Sequence, residues 1–389
     1  MKFVEIVKPD INFDFVGKRR IAYAVSLITL LIGLASLIYK GGPHYGIDFV
    51  GGTVVQVRLA SSVQPRQVQQ TAIDLGLDDA TVQALGAEGR EFLIRTSRSH
   101  IEGAQLRSHL TASLGKFVGP DKVEVRRIEM VGPKVGRDLR QKALFAILYS
   151  LLFMGIYISG RFELKWIPPA VMAAALVAFS YVLYNMVGLG LSYVIMASFA
   201  LMLALCVALN LRYALGAIVA LVHDVIVVMG VFSLFNLEIS LSMVAALLTI
   251  IGYSVHDTII VFDRIRENLR RLSRTSLENI VNRSINQTLS RTILTSGTVL
   301  LVLVAFLILG GGVIREFALA MFIGVVTGTY SSIYVASPIL LAWPEKGMAS
   351  SGRRAAAAPT APAAPTGEPA GGRKRKKGRA KKLEAAGGS

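Results

Sequence analysis

Charge is scarce in this sequence. Only 17% of its 389 residues are Asp, Glu, Lys or Arg, against about a quarter in an average soluble chain. What charge there is leans one way, with 42 Lys and Arg against 25 Asp and Glu, a formal net charge of +17. There is a single cysteine, Cys206, inside an apolar run. A lone thiol excludes an internal disulfide framework and gives redox chemistry no partner; its expected role is packing within the membrane. No His-Glu-x-x-His motif occurs, and the glycine run Gly310-Gly311-Gly312 follows an apolar stretch, where a phosphate loop would follow a soluble strand. These absences point away from a metalloenzyme, a nucleotide-hydrolysing enzyme and a disulfide scaffold. No catalytic activity, metal or cofactor is expected.

Apolar residues make up 53% of the chain, and several runs approach the roughly 20 residues needed to cross a hydrocarbon core about 30 Å thick. Eight spans are predicted: Ile21 to Tyr39, Ala143 to Ile158, Ile167 to Val187, Leu191 to Leu211, Ala214 to Phe235, Leu241 to Phe262, Thr292 to Leu309 and Phe317 to Trp343. The first is longer than a signal-peptide core and lacks a clear small-residue cleavage site, so it reads as an uncleaved anchor. Short cytoplasmic loops are enriched in Lys and Arg. An internal N-terminus puts Lys18, Arg19, Arg20, Arg161, Lys165, Arg212 and the stretch from Arg264 to Arg291 on the cytoplasmic side. The short loops of the opposite side contain only Arg315. Both termini are therefore expected in the cytoplasm.

Between the first two spans the pattern becomes that of a small folded domain. Thr53 to Leu59, Thr81 to Leu85, Glu91 to Thr96 and Lys122 to Met130 alternate as strands. Pro65 to Leu75 and a segment carrying Ile101, Leu106, Leu110, Leu114 and Val118 repeat as helices. The order βαββαβ is the ferredoxin-like signature. His100 and His109 lack neighbouring ligand-type residues and read as surface histidines.

Ionisable residues inside spans carry the most information, because each costs at least about 2.5–3.5 kcal/mol at mid-bilayer unless paired or hydrated. His223 and Asp224 lie near the middle of the fifth span; His256 and Asp257 lie in the sixth, nearer its cytoplasmic end. Tyr253 and Ser254 share a helical face with Asp257, and Arg291 heads a strip with Thr288, Thr295 and Thr298, with Ser296 and Gly297 beside it. Gly324, Gly328 and Ser332 form a small-residue ridge that allows close helix approach. A carboxyl in such a setting can take and release protons; the alternative is an inert buried ion pair holding helices in register. Adjacent His-Asp residues project about 100° apart on a helix, which disfavours a shared metal ion.

Five stretches carry a family resemblance. Gly46-Ile47-Asp48-Phe49-Val50-Gly51-Gly52-Thr53 lies just outside the first span, and Val131-Gly132-Pro133-Lys134-Val135-Gly136 leads into the second. Gly252-Tyr253-Ser254-Val255-His256-Asp257-Thr258 continues to Asn268, and Arg291-Thr292-Ile293-Leu294-Thr295-Ser296-Gly297-Thr298 follows it; Ser331 to Ser337 closes the set. The chain resembles the SecF family, related to the proton-driven RND transporters. That resemblance implies a multi-pass α-helical membrane protein, an RND-type half-transporter with a small ferredoxin-like α/β extracytoplasmic domain. It also implies pairing with SecD beside the SecYEG channel in the bacterial inner membrane, where the proton motive force promotes movement of a translocating polypeptide. By the same resemblance Asp257 is the relay aspartate and Arg291 its companion, His223 and Asp224 match a His-Asp pair one span earlier, and Gly46, Asp48, Gly51, Gly52 and Thr53 form the motif outside the first span. Two departures stand out. His256 occupies a position usually held by asparagine, where it either joins the relay or is a tolerated polar exchange. Two extra spans occupy about 164–213, an even number that preserves orientation.

The expected division is a cytoplasmic head over 1–20, a first span over 21–39, the βαββαβ domain over 40–140, the helix bundle over 141–343 and a disordered basic cytoplasmic tail over 344–389. The tail's block from Arg373 to Lys382 could contact anionic membrane lipids or, less simply, ribosomal RNA. Alternative functions are half of a lipid or small-molecule exporter, or a non-catalytic membrane scaffold.

Overall fold

The computed structural model describes residues 12–342 apart from 78, 86–88, 97–102, 120–121, 164–165 and 273–274. The tail over 344–389, most of the head, His100, Ile101, Lys165 and Trp343 lie outside the described residues.

Helix α1 (Arg19–Tyr39) is followed by the four-residue helix α2 (Ile47–Val50) and strand β1 (Gly52–Leu59). Helix α3 (Pro65–Asp74), β2 (Thr81–Leu85), β3 (Glu91–Thr96), α4 (Gly103–Val118) and β4 (Val123–Val131) complete a four-stranded sheet in the order β2-β3-β1-β4. All its pairings are antiparallel, with Val55 opposite Ile94 on one side of β1 and Ile128 on the other. This is the expected βαββαβ arrangement. Alternation along β3 turns Phe92 and Ile94 inward against Val68 and Ala72 of α3 and Leu106, Leu110 and Leu114 of α4. His109 is exposed.

The remaining helices are α5 (Pro133–Ile158), α6 (Ile167–Tyr181), α7 (Leu191–Ala208), α8 (Arg212–Leu234), α9 (Leu241–Arg271), α10 (Leu277–Leu309), α11 (Gly312–Ser331) and α12 (Ser337–Ala342). Among the described residues eight helical segments are long and apolar enough to cross a membrane, matching the eight predicted spans. Three run further than the apolar pattern suggests. α5 begins at Pro133, where the missing N–H costs nothing in a first turn. α9 and α10 continue past the apolar region to a short turn, and Asn268 joins them by donating to Ser284 Oγ at 2.8 Å and Gln287 Oε1 at 2.9 Å. α11 and α12 form one broken helix. Pro338 cannot donate to the preceding turn, the backbone widens over Ser332–Ala336, and Ser337 Oγ donates to the Ser332 carbonyl at 2.7 Å.

α8 and α9 lie at the centre of the bundle, while α6 and α7 sit at its side against α5 and α8. On α7 the buried positions are Val194, Ser198, Met202 and Cys206, a stripe at steps of four, with most of its other residues turned outward. Cys206 thus packs inside the bundle, in a cluster with Met202 and Leu211. The segment ahead of α1 is clamped by two asparagines of α10. Asn286 accepts from Phe13 N and donates to Phe13 O, both at 2.9 Å, and Asn282 Oδ1 accepts from Phe15 N at 2.9 Å. Phe15 rests edge-on against Tyr334.

Candidate functional site

Two carboxylates are fully buried in the bundle, and their surroundings differ. Asp257 on α9 accepts at Oδ2 from Ser296 Oγ of α10 at 3.2 Å and Thr329 Oγ1 of α11 at 3.5 Å, and Thr329 also donates to Ser296 Oγ at 2.8 Å. Its Oδ1 is buried without a hydrogen-bond partner. No cation touches it among the described residues. Hydroxyls can donate to a carboxylate or accept from a carboxylic acid, so this cage is compatible with either protonation state of Asp257.

Asp224 on α8 is saturated. Its Oδ1 lies 3.0 Å from His223 Nδ1, and its Oδ2 accepts from Ser254 Oγ of α9 at 2.7 Å and Ser331 Oγ of α11 at 2.8 Å. His223 stacks on Tyr330, whose hydroxyl donates to the Ala22 carbonyl of α1 at 2.7 Å. Four helices therefore meet at this pair. The neighbouring His-Asp side chains do reach each other, and each is buried; no cluster of three or more metal-ligating side chains exists among the described residues.

Close packing sets the geometry. A Cβ on Gly324 of α11 would fall 2.2 Å from Ile250 Cδ1 of α9, and one on Gly328 would fall 3.1 Å from Ser254 Cβ. The small-residue ridge predicted on the last span thus presses α11 onto α9 and brings Thr329 and Ser331 to the two carboxylates.

The other expected site residues are distributed unevenly. Ser254 serves Asp224, where the sequence pattern suggested Asp257. Tyr253 has a buried hydroxyl without a hydrogen bond. Thr295 turns back to the Arg291 and Thr292 carbonyls of its own helix at 3.0 and 3.1 Å. Arg291 and His256 are exposed on the flank of the bundle and make no hydrogen bond or ion pair with Asp257. The buried stripe of α10 is Thr288, Thr292 and Ser296, one position round from the strip headed by Arg291. Thr329 and Ser331 are absent from the expected set; their signal is a hydroxyl-rich run, Thr327 to Ser332, inside an otherwise apolar span.

The motif outside α1 is a second built feature. Gly51 adopts φ +87°, and a Cβ there would lie 2.8 Å from Pro133 Cα; a Cβ on Gly136 would lie 2.9 Å from Gly51 N. The two glycine-bearing stretches therefore lock together, with Phe49 and Thr53 buried between the bundle and the sheet. Gly52, at φ +140°, opens β1. Gly46 N donates to the Ile239 carbonyl at 2.9 Å, and Asp48 Oδ2 accepts from Leu241 N, the first turn of α9, at 2.7 Å.

Fold and site together define a multi-pass membrane protein whose central helices bury ionisable groups and whose outer sheet domain is fastened to them by a glycine motif. Residues 111–193 and 182–346 match the model of the protein export membrane protein SecD/SecF, C-terminal, and residues 37–63 match the SecD/SecF GG motif. The chain belongs to the SecD/SecF family of protein export membrane proteins. It is 40% identical over 333 residues to the protein translocase subunit SecF of Magnetococcus marinus, covering 85% of this chain and 91% of that one. With SecF of Calditerrivibrio nitroreducens it shares 36% over 342 residues, covering 87% and 96%. The crystal structure of SecDF, a translocon-associated membrane protein from Thermus thermophilus, superposes with a TM-score of 0.63 at 33% identity. That match covers 87% of this chain and 39% of the SecDF chain, so the present chain spans about two fifths of that solved protein. The super-membrane-facing form of SecDF superposes with a TM-score of 0.51 at the same identity.

Proposed function

We propose that this chain acts with SecD, beside the SecYEG channel, as a proton-coupled subunit of protein export in the bacterial inner membrane. Asp257 is the relay group, and the observation that supports it most is its hydroxyl cage and spare buried oxygen at the junction of α9, α10 and α11. One proton crossing 100 mV releases about 2.3 kcal/mol. Spent on a shift between packed helices, that is enough to favour one arrangement by more than tenfold. Arg291 and His256 tune the site from the bundle's flank, and the His223–Asp224 pair relays or anchors beside it. Both termini lie in the cytoplasm, on the side where Arg19, Arg161, Arg212 and Arg264 gather in the chain's alternation of spans. The basic tail meets anionic lipids or the ribosome.

The test is export of a preprotein into vesicles holding this chain, SecD and the SecYEG channel, with and without an imposed proton gradient. Asp257→Asn is expected to abolish the gradient-dependent increment and leave assembly intact. A native increment in that variant would defeat the relay assignment and favour the scaffold reading.

A further inference from the structure

The contact of interest joins the sheet domain to the bundle. Arg95 lies near the end of β3, on the sheet face opposite α3 and α4, opposite Val54 of β1 and Thr81 of β2. Its guanidinium is mostly enclosed: Nη1 sits 2.9 Å from Glu238 Oε1, Nη2 sits 4.0 Å from Glu316 Oε1, and Nη1 also donates to Gln83 Oε1 at 3.2 Å. Glu238 belongs to the turn that leads into α9, and Glu316 to the first turns of α11. Arg95 and Glu238 also line a cavity with His44, Tyr45, Gly46 and Asp79, so the surrounding space leaves room for the side chains to move.

These two carboxylates are tied to the starts of α9 and α11. Ile239, next to Glu238, is held through its N–H to the His44 carbonyl at 2.7 Å. Ser240 accepts from Met243 N at the start of α9 and donates to Glu316 Oε2 at 3.2 Å. Asp48 takes the Leu241 N–H. The outer ends of α9 and α11 are thus gathered around one cation. At about 1.5 Å per residue, Asp257 lies roughly 24 Å along α9 from Leu241 and Thr329 roughly 20 Å along α11 from Glu316. Two of the three helices that meet at Asp257, α9 and α11, are also those whose outer-end carboxylates meet at Arg95.

We propose that Arg95 is the positioning residue that transmits relative movement of α9 and α11 to the sheet domain, by redistributing its guanidinium between Glu238 and Glu316. The proposal rests on the proton-coupled reading of Asp257. A shared cation with one short and one long partner is suited to this: a small slide of α11 against α9 exchanges the 2.9 Å and 4.0 Å contacts, and β3 follows. The planar fork of arginine can address two carboxylates at once, which an ammonium does poorly. The sheet domain is also attached at this end through the α2 motif and the β4–α5 junction, where Val54 of β1 lies between Arg95 and Glu129, so loss of Arg95 leaves the domain tethered while removing its contact with Glu238 and Glu316.

The experiment uses the full chain with SecD and SecYEG in vesicles. Arg95→Gln is expected to lower gradient-dependent export about tenfold without changing assembly or gradient-independent export. Arg95→Lys should recover only part of that loss, and the exchange Arg95→Glu with Glu238→Arg should outperform either single reversal. In the otherwise native chain, spin labels at Lys116→Cys and Phe235→Cys should report a distance that changes with the gradient; the change should vanish with Asp257→Asn and with Arg95→Gln. Native export by Arg95→Gln, or a gradient-dependent distance that survives it, overturns the proposal. If Asp257→Asn exports normally the proton reading fails first; if Asp257→Asn is inactive while Arg95→Gln is native, only the coupling role fails.

Discussion

Gly33 of α1 and Gly230 of α8 meet backbone to backbone: a Cβ on Gly33 would lie 2.9 Å from Gly230 Cα, and a Cβ on Gly230 would lie 2.7 Å from Gly33 Cα. The approach brings Ser36 and Ser233 together at 2.8 Å, and Lys40 donates to the Ser233 carbonyl. Backbone cannot yield as a side-chain tip can. Gly33→Ala and Gly230→Ala are each expected to destabilise the α1–α8 contact by about 1–3 kcal/mol, read as a lowered unfolding midpoint of the purified protein in detergent. An unchanged midpoint in both would show that the helices do not pack at this crossing.

The lock between the two glycine stretches gives a sharper expectation for Gly51. Alanine there must adopt φ +87° with ψ 161° and also meet Pro133 at 2.8 Å; that backbone conformation, open essentially to glycine alone, costs of order 1–3 kcal/mol. Gly51→Ala should loosen the sheet domain from the bundle, visible as faster proteolysis between β4 and α5. Gly132→Ala serves as the control, since nothing lies within 4 Å of a Cβ there.

The two buried carboxylates should separate in a stability measurement. Asp224 closes a knot among α1, α8, α9 and α11, and removing one member of a buried polar pair typically costs about 3–5 kcal/mol. Asp224→Ala should therefore lower the unfolding midpoint strongly, with Ser254→Ala and Ser331→Ala each costing about 1 kcal/mol. Asp257→Asn keeps its shape and loses one weakly bonded oxygen, so its midpoint should stay near native while export is lost. Equal destabilisation by Asp224→Ala and Asp257→Asn would contradict that division of labour.

Replacing Asn282 and Asn286 together by alanine removes the side-chain partners of the Phe13 and Phe15 amides. Hydrogen exchange at those two amides should rise to the rate of an exposed strand, with the α10 amides protected as before. Persistent protection would mean that Phe15 packing on Tyr334 suffices to hold the head.

Much of this architecture was legible in the sequence because bilayer crossing and strand alternation are local patterns. All eight spans and all four strands fall where apolar runs and period-two alternation put them. The extensions of α5, α9 and α10 were not legible from apolarity: their polar turns are helical because they continue a formed helix, and in α9 and α10 because the extensions pack on each other. At the site, Asp257 and Asp224 announced themselves by the cost of burial. Their partners did not, since Ser296, Thr329 and Ser331 lie on other helices and only inter-helix packing selects which hydroxyl turns inward. The strip headed by Arg291 illustrates the difficulty: a shift of one residue rotates a helix face by about 100°, and Thr292 and Ser296 face the core where Thr295 and Thr298 do not.

The asparagine clamp gives the folding of this chain an order in time. Phe13 and Asn286 are 273 positions apart, and at about 5–20 residues per second of synthesis the head waits roughly a quarter to a whole minute for its partner to be made. Through that interval α1 is anchored with its leading segment free. A segment translated before α1 is thus seated only once α10 has been made, the helix that brings Ser296 to Asp257.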